Sequence, residues 1–145
     1  MSDRMDPVRG SSPESANRQI DQQTLDALRP YANDPSLIER RLGELREEWD
    51  IERMLAANAS TLILLSLGLG KVASKKWRLL TAIVPAFLLQ HALQGWCPPI
   101  ELFRRLGVRS RQEIDREVYA LKALRGDFTD APGNADAAFR AAKVR

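Results

Sequence analysis

The sequence predicts an all-α fold built on a transmembrane helical hairpin, with a long extension of the first helix before the membrane and an amphipathic helix after it. Three observations carry this reading. The 145 residues distribute their charges unevenly, with a net of −4 over 1–53, +4 over 71–78 and +3 over 101–145. Two stretches, 54–70 and 79–100, hold no Asp, Glu, Lys or Arg at all. Two of the remaining segments, 36–53 and 111–125, carry apolar residues at helical spacing. A negative mean hydropathy is therefore the sum of unlike parts, polar tails diluting two uncharged runs.

Residues 1–33 are rich in Ser, Pro, Asp, Gln and Asn and poor in large apolar residues. Such a segment buries too little surface to offset chain entropy, so a disordered arm is expected, with a weak helix at 21–28 ended by Pro30. Its first residues lack an apolar core, and no cleavable signal peptide is expected. Asp34-Pro35 starts the next helix, Asp as N-cap and Pro with its φ already set. Ile38, Leu42, Leu45 and Trp49 then recur on one face, with Arg40, Arg41, Glu44, Glu47, Glu48 and Asp50 elsewhere around it. Only composition changes after Trp49, so one continuous helix over 36–70 is expected: a juxtamembrane part, 36–53, and a first membrane span, 54–70. Gly70 suits its end.

The first run has 17 residues and the second, 79–97, has 19 before Pro98-Pro99 forbids a regular helix. Each is near the lower limit for a bilayer. Joined by loop 71–78 with Lys71, Lys75, Lys76 and Arg78, they read as a hairpin. Pro85 inside the second run is tolerated better in lipid than in water. Trp77 and Trp96 mark the two ends of the second helix as interface anchors. The competing reading is a soluble hairpin with a buried core, because Asn58, Gln90, His91 and Gln94 make both runs impure. A soluble core helix, however, seldom loses every charge on all faces over such a length.

An interfacial segment is expected at 98–107, where Ile100, Leu102, Phe103 and Leu106 interleave with Glu101, Arg104 and Arg105. Ser110 and Glu113 form a capping box, opening a helix over 111–125 with Ile114, Val118, Leu121 and Leu124 on one face. Residues 129–145 are a tail in which Asn134 caps a short Ala-rich helix.

Folding the hairpin about its loop centre pairs residues whose numbers sum to 149, which brings Asn58 level with His91 and close to Gln90 and Gln94. Polar side chains in lipid need partners, so interhelical hydrogen bonds are expected among these four. Ala56, Ala57, Ser60 and Thr61 make a small face, continued toward the loop by Ser66, Gly68 and Gly70, that admits a second helix, from within the hairpin or from another copy of the chain. Cys97 falls at the membrane surface with Arg104 and Arg105 following, a setting that favours the reactive thiolate, although a small apolar role at a helix end is the plainer account. One cysteine and one histidine leave no disulfide framework, no metal cluster and no cofactor to expect. The basic residues alternate with acids and lack stacking aromatics, so no nucleic-acid partner is expected despite a pI near 9.3.

The stretch Gly95-Trp96-Cys97-Pro98, followed by Leu106-Gly107, resembles the YgaP-like inner-membrane domain, a two-helix bacterial module. Glu48-Trp49-Asp50-Ile51-Glu52-Arg53 and the segment 119–128 look like small stand-alone members of that family. The resemblance covers about residues 36–128, so that 34–128 forms the membrane domain. It implies a multi-pass protein of the bacterial cytoplasmic membrane. Some relatives carry a fused rhodanese domain with a sulfur-bearing cysteine; this chain has no such domain. Two functions follow as expectations. The first is a non-enzymatic anchoring or interaction module, whose seams Ile38/Leu42/Leu45/Trp49 and Ile114/Val118/Leu121/Leu124 pack together or dock another protein. The second is a Cys97 thiol that accepts or relays sulfur or redox equivalents for a partner sulfurtransferase. Basic residues are nearly balanced, four in the loop against four in 39–53 and five in 101–116. The cost of exporting a 53-residue segment without a signal, and the cytoplasmic enzymatic domain of the fused relatives, place both termini inside.

Overall fold

A computed structural model describes residues 6–143, and every regular element among them is helical. In chain order these are α1 (Pro7–Gly10), α2 (Glu14–Asn33), a 3-10 turn (Pro35–Leu37), α3 (Ile38–Glu47), α4 (Ile51–Val72), α5 (Trp77–Gln94), α6 (Pro98–Arg105), α7 (Arg111–Arg125) and α8 (Ala135–Ala142). The chain divides into two compact units, with boundaries after Asn17, Glu48 and Ser110.

The first unit holds residues 6–17 and 49–110 and is built on α4 and α5, which pack side by side across the turn 73–76. Small residues set their approach. Ser66 is fully buried, and its hydroxyl lies 2.6 Å from that of Thr81. At Gly70 a Cβ would come within 3.1 Å of the Arg78 Cγ, so the Arg78 stem occupies the space that glycine leaves. Pro85 sits inside α5 without ending it. Gly95 ends it, in the left-handed conformation at φ 73°, and the N–H of Gly95 donates to His91 O. Pro98 then opens α6, where its missing N–H costs nothing.

The second unit holds residues 18–48 and 111–143. Its core is the pairing of two seams, Ile38, Leu42 and Leu45 of α3 against Ile114, Val118 and Leu121 of α7, with Leu28 and Tyr31 of α2 laid on them. The Nε of Arg41 donates to the buried Glu117 carboxylate at 2.8 Å beside this core. Burial alone would lower the pKa of that guanidinium, but the Glu117 hydrogen bond and charge outweigh it and hold Arg41 firmly cationic. Lys122 is buried with its ammonium donating to Ala141 O at 2.6 Å and to Lys143 O, satisfying carbonyls at the end of α8. Burial depresses its pKa, with Asp127 opposing. Asn134 caps α8 as its sequence position implied, accepting from Ala137 N at 3.0 Å.

Three expectations need correction. The arm 1–33 is helical over most of its described part, and α2 passes through Pro30, one turn before its end. Local composition underrated it because its few apolar residues, Val8, Ala16, Ile20, Leu28 and Tyr31, are buried or pack against distant elements and its polar ones find distant partners, described below; residues 1–5 lie outside the described ones. The single helix over 36–70 is two helices. Glu48 is extended at ψ 133°, and Asp50 Oδ1 caps α4 by accepting from Arg53 N at 2.7 Å. The freed Ile51 N–H is satisfied by Arg109 O at 2.9 Å. The second helix ends at Gln94 rather than at residue 97, because the left-handed Gly95 stops it before the proline pair can.

Candidate functional site

The break between α5 and α6 gathers the groups with most chemical potential. Cys97 is the N-cap residue of α6 and is 2% exposed, in a cluster with Val8, Ile51, Leu55 and Ile100. Leu88, Phe103 and Val108 complete the surround. A thiol so enclosed has neither the solvent access nor the electropositive contact of a reactive cysteine. The two arginines expected to activate it are engaged elsewhere. Arg104 donates to Asn17 Oδ1 at 2.7 Å and Val108 O at 3.2 Å, and Arg105 pairs with Glu101 at 2.6 Å.

Above this junction, α1 is fastened by buried polar contacts. Asp6 Oδ1 accepts from Arg9 N at 3.1 Å as the cap of α1, and its Oδ2 accepts from Ser110 Oγ at 2.6 Å. Asn17 Nδ2 donates to Arg9 O at 3.0 Å. Asp6, Asn17, Arg104 and Ser110 are all buried, so each of these bonds is made away from water. Pro7 approaches Gly95 so closely that an added Cβ would stand 2.5 Å from the Pro7 Cβ. The glycine before Trp96-Cys97 is thus required twice, for its φ and for the backbone laid on it. Sequence reasoning missed Asp6, Asn17 and Ser110 as a set. The one local signal is Asp6-Pro7, the same capping pair that opens the 3-10 turn at Asp34-Pro35.

Between α4 and α5 lies an apolar cavity of about 270 Å³, walled by Leu55, Ala59, Leu62, Ile83, Phe87 and Cys97, with Asn58 its amide. The four side chains expected to bridge the helices do not meet. Among the described residues Asn58, Gln90 and Gln94 make no side-chain hydrogen bond, and His91 Nδ1 is buried without a partner. The interhelical bond is made by Ser66 and Thr81 instead. Trp77 and Trp96 stand at the two ends of α5, 41% and 38% exposed, and Trp49 carries the Arg53 guanidinium 4.3 Å above its ring. No group of three or more metal-ligating side chains occurs among the described residues.

By length and composition the helical stretch Pro35–Val72 contains a window able to cross a membrane, only 22% of it buried. Trp77–Gln94 reaches that standard together with Pro98–Arg105, from which it is bent by 71°. Comparison with protein-family models, with curated proteins and with solved structures finds no match.

Proposed function

We propose that the chain is a small integral membrane protein, of the bacterial inner membrane, in which α4 and α5 cross the bilayer as a hairpin and anchor a soluble helical unit for interaction with other proteins. The observation that carries this reading is the exposure of large apolar side chains along α4 and α5, which hold no Asp, Glu, Lys or Arg over 54–70 and 79–94. Leu64, Leu65, Leu79, Leu89 and Leu93 are 57–77% exposed: 70%, 57%, 66%, 61% and 77%. The core helices of a soluble protein bury such residues, whereas lipid-facing helices display them. The tryptophans at the ends of α5 and the resemblance of Gly95-Trp96-Cys97-Pro98 to the YgaP-like domain point the same way. Both termini lie on the cytoplasmic side.

The role is non-enzymatic in this reading, since the cysteine serves packing. The side chains of Asn58, Gln90 and Gln94, without hydrogen-bond partners among the described residues, are satisfied by a second copy in the bilayer, where unpaired amides are costly. Flotation of the full chain with vesicles after an alkaline carbonate wash tests the membrane assignment, and recovery in the soluble fraction would sink it. Asn58→Leu should keep insertion while changing oligomer size in detergent. A persulfide or mixed disulfide trapped on Cys97 of the native protein would favour the thiol relay instead.

A further inference from the structure

The turn between α4 and α5 carries Lys71, Lys75, Lys76 and Arg78 within eight residues, all exposed. None of the four side chains has an ion pair or hydrogen bond among the described residues. Nor does the sequence supply an acid nearby: there is no Asp or Glu anywhere from 53 to 100. Of the acids that flank this stretch, Glu52 lies in the first turn of α4, about 28 Å from Lys71 along the helix at about 1.5 Å per residue, and Glu101 lies in α6, beyond the far end of α5. Several surface arginines elsewhere in the chain behave differently. Arg40, Arg41, Arg105, Arg111 and Arg125 each pair with a carboxylate. Around the four cations stand exposed apolar groups, Val72 at 89%, Trp77 at 41% and Leu79 at 66%. The positive end of the α5 dipole points into the same turn, with no acidic residue in its first turn to offset it.

We infer that this turn is a binding surface for anionic phospholipid headgroups. A phosphodiester at the bilayer surface would meet uncompensated ammonium and guanidinium groups, while Val72, Trp77 and Leu79 sit in the adjoining acyl region. The inference rests on the membrane reading above and adds the lipid class to it. A purely zwitterionic surface gives the four cations no net field to respond to, whereas an anionic leaflet attracts each of them.

The test uses the full chain reconstituted in phosphatidylcholine vesicles doped with spin-labelled phosphatidylglycerol or phosphatidylcholine, and reads the motionally restricted fraction of each label. The wild type should prefer phosphatidylglycerol by about fivefold, the factor one cation supplies near an anionic surface. The preference should fall towards unity in K71Q/K75Q/K76Q/R78Q and in high salt, and persist in K71R/K75R/K76R. Equal restriction of both labels by a chain that floats with the vesicles overturns the lipid inference and leaves the membrane reading intact. A chain that restricts neither label and does not float overturns both. Loss of the preference in R53Q/R105Q with retention in the turn variant assigns it to the opposite membrane face and overturns the inference. Displacement of the labelled lipid by inorganic phosphate at matched ionic strength makes the turn a free-anion site and overturns it as well.

Discussion

Replacing Leu121 and, separately, Leu124 by alanine distinguishes the seam that closes from the one the sequence drew. Both lie on the apolar face of α7 by spacing, but Leu121 is fully buried against α3 and Leu124 is 44% exposed. Leu121→Ala removes three carbons from a packed site. At about 0.8 kcal/mol per buried methylene the transfer loss is about 2.4 kcal/mol. Each ~40 Å³ left unfilled adds about 1 kcal/mol at ~24 cal/mol per Å³, for a total near 3 kcal/mol. Leu124→Ala forfeits about half the transfer term and opens no enclosed cavity, so it costs about 1 kcal/mol. Amide hydrogen exchange of the full chain in micelles reads both. With tenfold per 1.4 kcal/mol, Leu121→Ala should speed exchange by about 100-fold in α3 and α7 together, and Leu124→Ala by about fivefold. Equal costs at the two positions would refute the burial argument. Acceleration confined to α7, with α3 unchanged, would refute the claim that the two seams form one core.

Other substitutions probe the Cys97 junction and the acid limb of the second unit. Asp6→Ala removes the α1 cap, worth about 1 kcal/mol, and the Ser110 bond, so alkylation of Cys97 by a small maleimide should quicken about tenfold; an unchanged rate would mean that α1 does not cover the thiol. Gly95→Ala forces a Cβ into a left-handed site against Pro7, and should cost at least 1–2 kcal/mol of about the usual left-handed penalty and likewise expose Cys97; a neutral effect on thermal stability and alkylation would contradict the close approach. In the second unit, Arg125 donates to both Asp127 oxygens, at 2.7 and 2.6 Å. That hydrogen bond, against some opposing burial, holds the Asp127 carboxyl below its ordinary 3.8. A depressed carboxyl stabilises the fold above its unfolded value and loses that contribution as pH falls through the folded one. Melting temperature followed downward from pH 5 should therefore drop less steeply below about 4 in Asp127→Asn than in the wild type, and parallel acid limbs would show that the pair contributes nothing.

Much of the architecture was legible because charge and periodicity act locally. The uncharged runs mark α4 and α5, the capping pair Asp34-Pro35 and the cap Asn134 mark helix starts, and apolar spacing marks the facing seams of α3 and α7. What stayed hidden depends on partners far along the chain. Asp50 read as one more polar residue on a helix face, because the competing cap becomes favourable only when Arg109 O satisfies Ile51 N. The segment 6–17 read as disordered, since no rule of composition connects Asp6 with Ser110 or Asn17 with Arg104.

The expected Asn58–His91 pairing failed for a different reason. Fold-back about a loop centre estimates depth, yet contact also requires rotation, and each residue turns a helix by about 100°. The observed contact between Ser66 and Thr81 sums to 147 rather than 149, a slip of two residues. Two residues are about 3 Å in depth, which is tolerable, but about 200° in rotation, which is not. The small residues decided the matter: Ser66 and Gly70, one turn apart, set the line of closest approach and left Asn58 at the rim of the cavity. For a two-helix protein, the faces that let backbones approach are thus a better guide to pairing than the polar residues that would benefit from it. The Asn58 amide left over at that rim then becomes the place to look for a second copy of the chain.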